Sequence, residues 1–569
     1  MNAPLNSNVP GKLTSNHYKL RATIVFFCFV FLYTIILINL ALIQLGQHDF
    51  YEKLGNKQYN VTVTQRPPRA PIFDRTGICL ALNKEILSAF ILPRQMEDAP
   101  ALRKFLARHF PAALERLEAH PEAHFLFVKR RLSNTDQDLI RASGLADINI
   151  LTEPSRYYPT DSTGPVIGIT DIDNNGLFGI ELAHNDELAG TPTTFSLYKD
   201  ARSGHFYFKR ETKIAGTQGT PVTLTLDSTL QFLVAEAVQE TMDSFQAKEG
   251  LALVMNPTNG DILAMVNLPS FDPNALEQID MEKTKNKIVT EVYELGSVIK
   301  VCMALAAFDE KVVTPDELID CENRRTTIID GRVVNTARTT ELGIEPFSRV
   351  LQKSNNIGVA KVAKRLETKL YDHYRRLGFG YKTGIDFPGE REGFVNPPER
   401  WSKQSLFSLS YGYEIAGSLL QLARVFCIIA NDGFACTPHL LMQTTDALPH
   451  KQIYPQSTTD TVRQILDSSA RSGKVAQVPG YSVVSKTGTA NMIVNGAYDQ
   501  NKNSFTCAGI VSKDDYKRVI VVNIKEVVQK HLLAAQVAMP LFERIAHKMV
   551  IHEQLSPKPE HKKGAYDVL

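Results

Sequence analysis

The sequence lacks several features that mark familiar functional classes. Its seven cysteines are scattered and form no C-x-x-C pair, which disfavours a zinc site or a thioredoxin-like redox site. It has no excess of one charge, because 63 basic and 61 acidic residues are interspersed to a net charge of +2, and this argues against a nucleic-acid binder. Internal repeats and low-complexity blocks are also absent. The cysteines are expected to be small buried hydrophobic residues, although an oxidising compartment would permit disulfides.

One long apolar run is present, close to the N-terminus. Residues 23–45 contain no charged residue and exceed the roughly 20 apolar residues that a membrane-spanning helix requires. Basic residues precede the run and no acidic residue precedes Asp49, which predicts a cytoplasmic N-terminus with the rest of the chain outside. A cleaved signal peptide is the alternative. Because such a peptide has a shorter apolar core and ends in small residues, an uncleaved anchor is favoured.

Beyond this run the sequence predicts an α+β protein of several domains. A chain of 569 residues is too long for a single core, since domains usually hold about 100–200 residues. Hydrophobic periodicity predicts strands at 222–226, 251–255, 262–266, 482–485, 504–511 and 518–524, and helices at 96–143, 227–245 and 531–550. A sheet flanked by helices is therefore expected in the C-terminal half.

Three short motifs occur in a fixed order along the chain. They are S-x-x-K at Ser297 to Lys300, S-x-N at Ser354 to Asn356, and K-T-G at Lys486 to Gly488 with Thr489 after it. Each alone is usually structural: a capping serine, a polar helix start or a glycine at a strand end. Together they form the set found in serine enzymes that recognise penicillin.

The first motif supplies a nucleophile and a base. Ser297 and Lys300 share one face of a predicted helix start. A serine hydroxyl is a weak nucleophile without a nearby base, and a lysine acts as a base only after losing its proton. Burial and a second cation both favour the neutral amine, and Lys486 is the natural second cation. Backbone N–H groups at the helix start are expected to stabilise an oxyanion formed at Ser297.

The other two motifs supply a relay and a substrate cradle. Ser354 is expected to relay a proton, and the amide of Asn356 to bind a substrate carbonyl or to orient the base. The hydroxyls of Thr487 and Thr489, with Lys486, are expected to hold a terminal carboxylate. Gly488 lies inside a predicted strand, where glycine indicates a close approach to the backbone, such as that of an extended peptide substrate. The backbone N–H of Thr489 is a second candidate oxyanion donor.

On these motifs the chain resembles class B penicillin-binding proteins, and within them the FtsI-type peptidoglycan D,D-transpeptidase of cell division. Further segments similar to that family lie at 74–77, 179–181, 225–227, 260–265, 377–390, 401–402, 410–413 and 420–423. Asn355 favours the division type, because elongation-type relatives more often carry Asp there. Three positions depart from the family pattern: Leu295 replaces Pro, and Ala70 and Glu414 replace Gly.

The resemblance implies a function and an organisation. Ser297 would attack the D-Ala-D-Ala bond of a stem peptide and pass the peptide to an amine of a neighbouring strand, with no metal or organic cofactor. The acceptor amine is not specified by the sequence, and β-lactams would acylate the same serine. The implied segments are a cytoplasmic tail (1–22), a transmembrane anchor in the inner membrane (23–45), a non-catalytic pedestal module of the dimerisation type (46–220), a periplasmic transpeptidase domain (221–552) and a disordered tail (553–569). Implied partners are an FtsW-type glycan polymerase and other division proteins.

Alternative functions remain open at this point. An elongation-type transpeptidase and a D,D-carboxypeptidase share the motifs, and water as the acceptor would give the latter. A β-lactamase is disfavoured by the anchor and the large N-terminal module, and no deacylating Glu is recognisable by motif. A divisome scaffold or β-lactam sensor is the non-enzymatic alternative. The intact Ser297 and Lys300 argue against a scaffold, and the short segment before the anchor is below the roughly 50 residues of a signalling domain.

Overall fold

A computed structural model of the chain describes residues 14–51, 53, 60–199, 206–275, 279–337, 340–442, 451–471, 476–494 and 497–555. The strands are β1 (Asn60–Gln65), β2 (Ile72–Phe73), β3 (Cys79–Ile91), β4 (Leu126–Lys129), β5 (Asn149–Tyr157), β6 (Thr193–Lys199), β7 (Phe206–Ile214), β8 (Val222–Thr223), β9 (Glu249–Met255), β10 (Ile262–Leu268), β11 (Tyr293–Glu294), β12 (Leu318–Asp320), β13 (Thr326–Ile329), β14 (Arg332–Asn335), β15 (Ile344–Pro346), β16 (Phe394–Val395), β17 (Ile415–Gly417), β18 (Phe434–Ala435), β19 (Lys451–Gln452), β20 (Ser482–Val494), β21 (Ala497–Lys513) and β22 (Tyr516–Lys525). The α-helices are α1 (Thr14–Ala41), α2 (Ala99–His109), α3 (Pro111–Ala119), α4 (Asn134–Ser143), α5 (Gly164–Ile167), α6 (Gly179–Ala183), α7 (Asn185–Ala189), α8 (Ser228–Phe245), α9 (Met281–Thr284), α10 (Lys287–Thr290), α11 (Lys300–Asp309), α12 (Phe347–Lys353), α13 (Asn356–Lys364), α14 (Lys369–Leu377), α15 (Ser405–Ser410), α16 (Leu419–Ala430), α17 (Gln456–Arg471) and α18 (Ala534–Leu555).

The chain forms two compact units. The first comprises residues 1–67 and 191–217 and contains α1 and an antiparallel sheet of order β1-β6-β7. Among the described residues, the helix Tyr18–Gly46 is the one long and apolar enough to cross a membrane; its mean hydropathy is 2.7 and none of its side chains is buried. Most of the predicted cytoplasmic tail, residues 1–13, lies outside the described residues.

The second unit comprises residues 68–190 and 218–569 and is built on a five-stranded antiparallel sheet of order β10-β9-β22-β21-β20. The central strands are largely apolar, as expected where helices cover both faces of the sheet, although the polar side chains of Thr506 and Asn523 are buried there too. One face packs on α8 and α18. The other packs on a helical layer that contains α11 and α16, both almost wholly buried. The edge strand β20 carries the K-T-G motif.

Most predicted elements are present, with two corrections. Asp227 caps α8 as its side chain accepts from the Leu230 N–H at 2.9 Å, as the sequence predicts. The prediction of continuous helix over 96–143 is wrong in part, since β4 interrupts it and pairs with β3. The prediction of a strand over 222–226 is too long, because the strand ends at Thr223. Helix α18 runs to Leu555, and residues 556–569 of the predicted tail lie outside the described residues.

A buried ion cluster holds the N-terminal part of this unit together. Arg69 Nε and Arg156 Nε each donate to one carboxylate oxygen of Glu181 at 2.6 Å. Arg69 also donates to the Glu181 backbone oxygen at 2.7 Å. The three side chains are at most 1% exposed. Because an unpaired buried charge costs several kcal/mol, each member of this cluster depends on the others.

Residues on either side of position 221 share one core. Strand β2 pairs in parallel with β8, matching Ile72 with Val222. The buried carboxylate of Asp74 accepts from the Ser228 hydroxyl at 2.6 Å and from its N–H at 3.1 Å. These contacts attach the 68–78 segment to the start of α8. The division into domains at 46–220 and 221–552 stays a prediction.

Candidate active site

The three sequence motifs meet at one cavity of about 420 Å³. It is lined by Ser297, Ala337, Thr340, Gln352, Lys353, Ser354, Asn356, Tyr411, Tyr413, Leu466, Ser485, Lys486, Thr487, Thr489, Leu533, Ala534, Ala535 and Met539. Lys300 and Gly488 are not among the lining residues, but Lys300 donates to the lining residue Ser354 and Gly488 lies between the lining residues Thr487 and Thr489.

Ser297 lies in a turn rather than in the α-helix that the sequence predicts. Residues Gly296–Ile299 form a 3-10 turn that runs directly into α11. Gly296 begins this turn with a φ of +58°, a conformation that favours glycine. Ser297 and Lys300 remain three residues apart on one continuous helical segment. The roles of Ser297 as nucleophile and of Lys300 as base stay predictions.

Lys300 is completely buried and directed at the second motif. Its Nζ donates to the backbone oxygen of Ser354 at 2.6 Å and contacts Ser354 Oγ at 3.1 Å. It also donates to the side-chain oxygen of Asn356. Burial lowers the pKa of Lys300 well below its ordinary value, and the nearby charge of Lys486 lowers it further. Both causes are those that the sequence predicts for a lysine base.

Asn356 is oriented by a neighbouring hairpin. Its Nδ2 donates to the Asn335 backbone oxygen at 2.7 Å, at the end of β14. This bond leaves the amide oxygen to face Lys300. This contact is the one that orientation of Lys300 would use, and both roles predicted for Asn356 stay predictions.

Ser354 is held in an unusual backbone conformation. Its φ is +58°, in the left-handed region that non-glycine residues rarely occupy. Helix α12 ends there, and α13 begins at once with Asn355 as its cap, whose side chain accepts from the Gly358 N–H at 2.8 Å. Asn355 also donates to the Thr340 oxygen at 2.7 Å. Two helix ends thus fix the Ser354 hydroxyl between two lysines.

Gly488 lies against the turn that carries Ser297. A Cβ at this position would lie 2.4 Å from the Leu295 oxygen and 2.7 Å from Val298 Cγ2. Gly296 in the turn is equally close to β20, since a Cβ on Gly296 would lie 2.7 Å from the Thr489 oxygen. The sequence attributes this glycine to the approach of a substrate. In the structure it is the turn carrying Ser297 that lies against the backbone of β20.

Lys486 completes the polar centre from the edge strand. Its Nζ donates to Ser354 Oγ at 2.9 Å and to the Thr487 backbone oxygen at 3.2 Å. Burial lowers the pKa of Lys486 to about 8. Thr489 Oγ1 accepts from the Ala534 N–H at 2.9 Å, which joins β20 to the start of α18.

Two walls of the cavity were not predicted as site residues. One is the start of α18, which contributes Ala534, Ala535 and Met539. The other consists of Tyr411 and Tyr413, where Gly412 allows the backbone to approach the Gly296 oxygen. The sequence resembles the family over 410–413, but this signal does not assign those aromatic side chains to the cavity.

Two protein-family models match the sequence of this chain. Residues 250–546 match the penicillin-binding protein transpeptidase domain, and residues 64–224 match the penicillin-binding protein dimerisation domain. The chain belongs to the penicillin-binding protein family. Because the transpeptidase domain is joined to the dimerisation domain, this penicillin-binding protein is of class B, and the predicted family, fold class and serine transpeptidase class are confirmed.

Named relatives span nearly the whole penicillin-binding protein. The probable peptidoglycan D,D-transpeptidase PenA of Neisseria meningitidis is 29% identical over 95% of this chain and 94% of the relative. The peptidoglycan D,D-transpeptidase FtsI of Escherichia coli is 28% identical over 93% and 91%. A crystal structure of penicillin-binding protein 3 from Mycobacterium tuberculosis, complexed with aztreonam, is similar with a TM-score of 0.65 at 25% identity, covering 87% of this chain and 98% of that one.

Proposed function

We propose that this protein cross-links peptidoglycan stem peptides at the division septum through an acyl-enzyme formed on Ser297. The observation that carries the proposal is the buried Lys300, whose pKa is lowered by burial and by Lys486. A buried amine with a lowered pKa, three residues along the chain from Ser297 and at the same cavity, is suited to act as the base that acyl transfer by serine requires. The curated relatives named as peptidoglycan D,D-transpeptidases support the substrate.

The proposed acylation step uses all three motifs. Ser297 Oγ attacks the carbonyl carbon of the D-Ala-D-Ala bond while Lys300 takes the serine proton. Backbone N–H groups of Ser297 and Thr489 stabilise the oxyanion. The C–N bond then breaks, and the proton returns through Ser354 to the departing D-Ala amine. Contacts of Ser354 Oγ with both lysine Nζ atoms support this relay.

In the second half-reaction an acceptor amine attacks the ester. The amine passes one proton through Ser354 to Lys300, the new amide bond forms as the ester C–O bond to Ser297 breaks, and Lys300 returns the proton to Ser297 Oγ. Thr487, Thr489 and Lys486 are proposed to hold the terminal carboxylate of the donor peptide. β-Lactams would open their amide bond on Ser297 in the same way, and the solved relative complexed with aztreonam supports this proposal.

The proposed cellular role, cell division, is more specific than membership of the penicillin-binding protein family. Asn355 in the second motif and the FtsI relative support division. A relative of similar identity, 26%, is the stage V sporulation protein D of Bacillus subtilis. The apolar helix Tyr18–Gly46 is proposed as an inner-membrane anchor with its N-terminus in the cytoplasm. An FtsW-type polymerase and other division proteins are the proposed partners.

The proposal is tested by labelling the purified full chain with fluorescent penicillin and mapping the modified residue by mass spectrometry. Covalent label on Ser297, and none on the Ser297→Ala variant, is the expected result. Label on another serine would overturn the nucleophile assignment. Depletion in cells should produce filaments with unfinished septa, whereas round cells would indicate the elongation alternative. Release of D-Ala without cross-linking of an added amine would indicate a carboxypeptidase.

A further inference from the structure

The carboxyl group of Glu294 connects three segments around the cavity. Glu294 is the last residue of β11, and only Leu295 separates it from the turn Gly296–Ile299 that carries Ser297. Its Oε1 accepts from the Glu414 N–H at 2.8 Å and from the Tyr498 hydroxyl at 3.0 Å. The first partner follows the Tyr411–Tyr413 wall, and the second lies on β21. Glu294 was not singled out from the sequence.

Glu414, whose N–H donates to Glu294, has a strained backbone. Glu414 has a φ of +59°, at a position where the family pattern carries Gly. Its carboxylate is occupied by Asn396 Nδ2, which donates to Oε2 at 2.6 Å. The contact of its N–H with Glu294 therefore helps to hold a conformation that a glutamate rarely adopts. This conformation sets the path of the preceding residues, including Tyr413 at the cavity.

The second contact fixes the far end of the β20–β21 ribbon. Tyr498 lies on β21 beyond the K-T-G motif, and its ring packs edge-on against Tyr413 with 5.5 Å between the ring centroids. Tyr413 and Tyr411 are also edge-on, at 6.0 Å. Glu294 thus joins, through two hydrogen bonds and these rings, the nucleophile turn, the tyrosine wall and the ribbon that carries Lys486.

The geometry points to Glu294 as a positioning residue that sets Ser297 relative to the tyrosine wall and the β20–β21 ribbon during acylation. This inference rests on the proposed function. The role needs an acceptor oxygen at Oε1 but no negative charge. Burial raises the pKa of Glu294, and the charge of Glu414 adds to this. Oε2 is buried and has no hydrogen-bond partner among the described residues, so it can carry a proton while Oε1 still accepts both bonds.

The test measures the rate of penicillin acylation of the full chain for Glu294→Ala, Glu294→Gln and Tyr498→Phe. Glu294→Ala should acylate roughly 10²-fold more slowly, which is the cost of small misplacements of reacting groups. Glu294→Gln keeps an acceptor oxygen and should restore the rate, with a pH profile that superimposes on that of the native chain. Tyr498→Phe removes one donor and should give an intermediate rate at an unchanged melting temperature. Glu240→Ala is the matched control, since Glu240 forms an exposed ion pair with Arg544.

The outcomes separate this inference from the proposed function. A folded Glu294→Gln variant as slow as Glu294→Ala would show that charge matters rather than position, and would overturn the inference. Native rates in Glu294→Ala and Tyr498→Phe would do the same. If Glu294→Ala fails to fold, a native rate in Tyr498→Phe overturns it. Absence of labelling in the native chain would overturn the proposed function and this inference together.

Discussion

Lys300 and Lys486 contact the same hydroxyl oxygen, Ser354 Oγ, at 3.1 and 2.9 Å. Two ammonium groups so close together repel each other, which favours loss of a proton from one of them. Lys300 is the more deeply buried of the two, and its pKa is lowered by burial and by the charge of Lys486. Lys486 thus has two proposed tasks: it keeps Lys300 neutral and it offers a positive charge to the substrate carboxylate. The pH dependence of the acylation rate should therefore reveal how strongly Lys486 affects the pKa of Lys300.

Removing the second lysine should shift that pH dependence. The charge of Lys486 lowers the pKa of Lys300, so Lys486→Ala should raise it and make the neutral amine rarer at pH 7. The acid limb of the limiting acylation rate should therefore move to higher pH, with partial recovery of the rate in alkaline buffer. Stopped-flow acylation with a chromogenic β-lactam measures this. An acid limb at the native position would contradict the coupling.

Replacing the base should abolish its proton transfer without removing its charge. Lys300→Arg stays protonated near neutral pH, so acylation should fall by roughly 10²–10⁴-fold, the usual contribution of a positioned base. Lys285→Arg is the control, because Lys285 is exposed and forms its ion pair with Glu282, which is exposed as well. A loss below about tenfold, far under that range, would show that Lys300 is not the base.

The role of Gly488 is tested by adding one methyl group. Gly488→Ala would place a Cβ 2.4 Å from the Leu295 oxygen, so the Ser297 turn must move. Displacement of the nucleophile should lower the acylation rate by about 10²-fold. The matched control is Gly343→Ala, since a Cβ there meets no atom within 4 Å. Equal rates in the two variants would show that the close approach does not position Ser297.

The buried ion cluster should dominate the stability of the N-terminal part. Glu181→Ala leaves Arg69 and Arg156 buried without their carboxylate, which should destabilise the fold by about 3–5 kcal/mol. Glu85→Ala, at an exposed position of β3, should change stability little. Thermal unfolding of the two variants measures the difference. Similar midpoints would mean that water or rearrangement compensates the two arginines.

Local patterns predicted the elements and the three motifs, because periodicity, capping residues and short spacings are written in neighbouring residues. Contacts between distant segments could not be predicted. Glu294 meets Tyr498 across 204 residues, and Thr489 meets Ala534 across 45. The approach of the Ser297 turn to Gly488 could not be predicted for the same reason, since that turn lies far from Gly488 in the sequence. Strand β4 was missed because its short apolar run fits the helical period around it.

Removal of the proposed membrane anchor should separate acyl transfer from its proposed use in division. The cavity and all its described lining residues lie in the second compact unit, whereas Tyr18–Gly46 lies in the first. A chain lacking residues 23–45 should therefore be acylated by penicillin at the native rate but should fail to complete septa when it replaces the native protein. An unrelated membrane span of equal length in place of residues 23–45 distinguishes two reasons for that failure. Restored division would show that the helix acts only as an anchor, and continued failure would support contacts with membrane-embedded division proteins. Normal division by the chain lacking the helix would show that the anchor is not needed for septation.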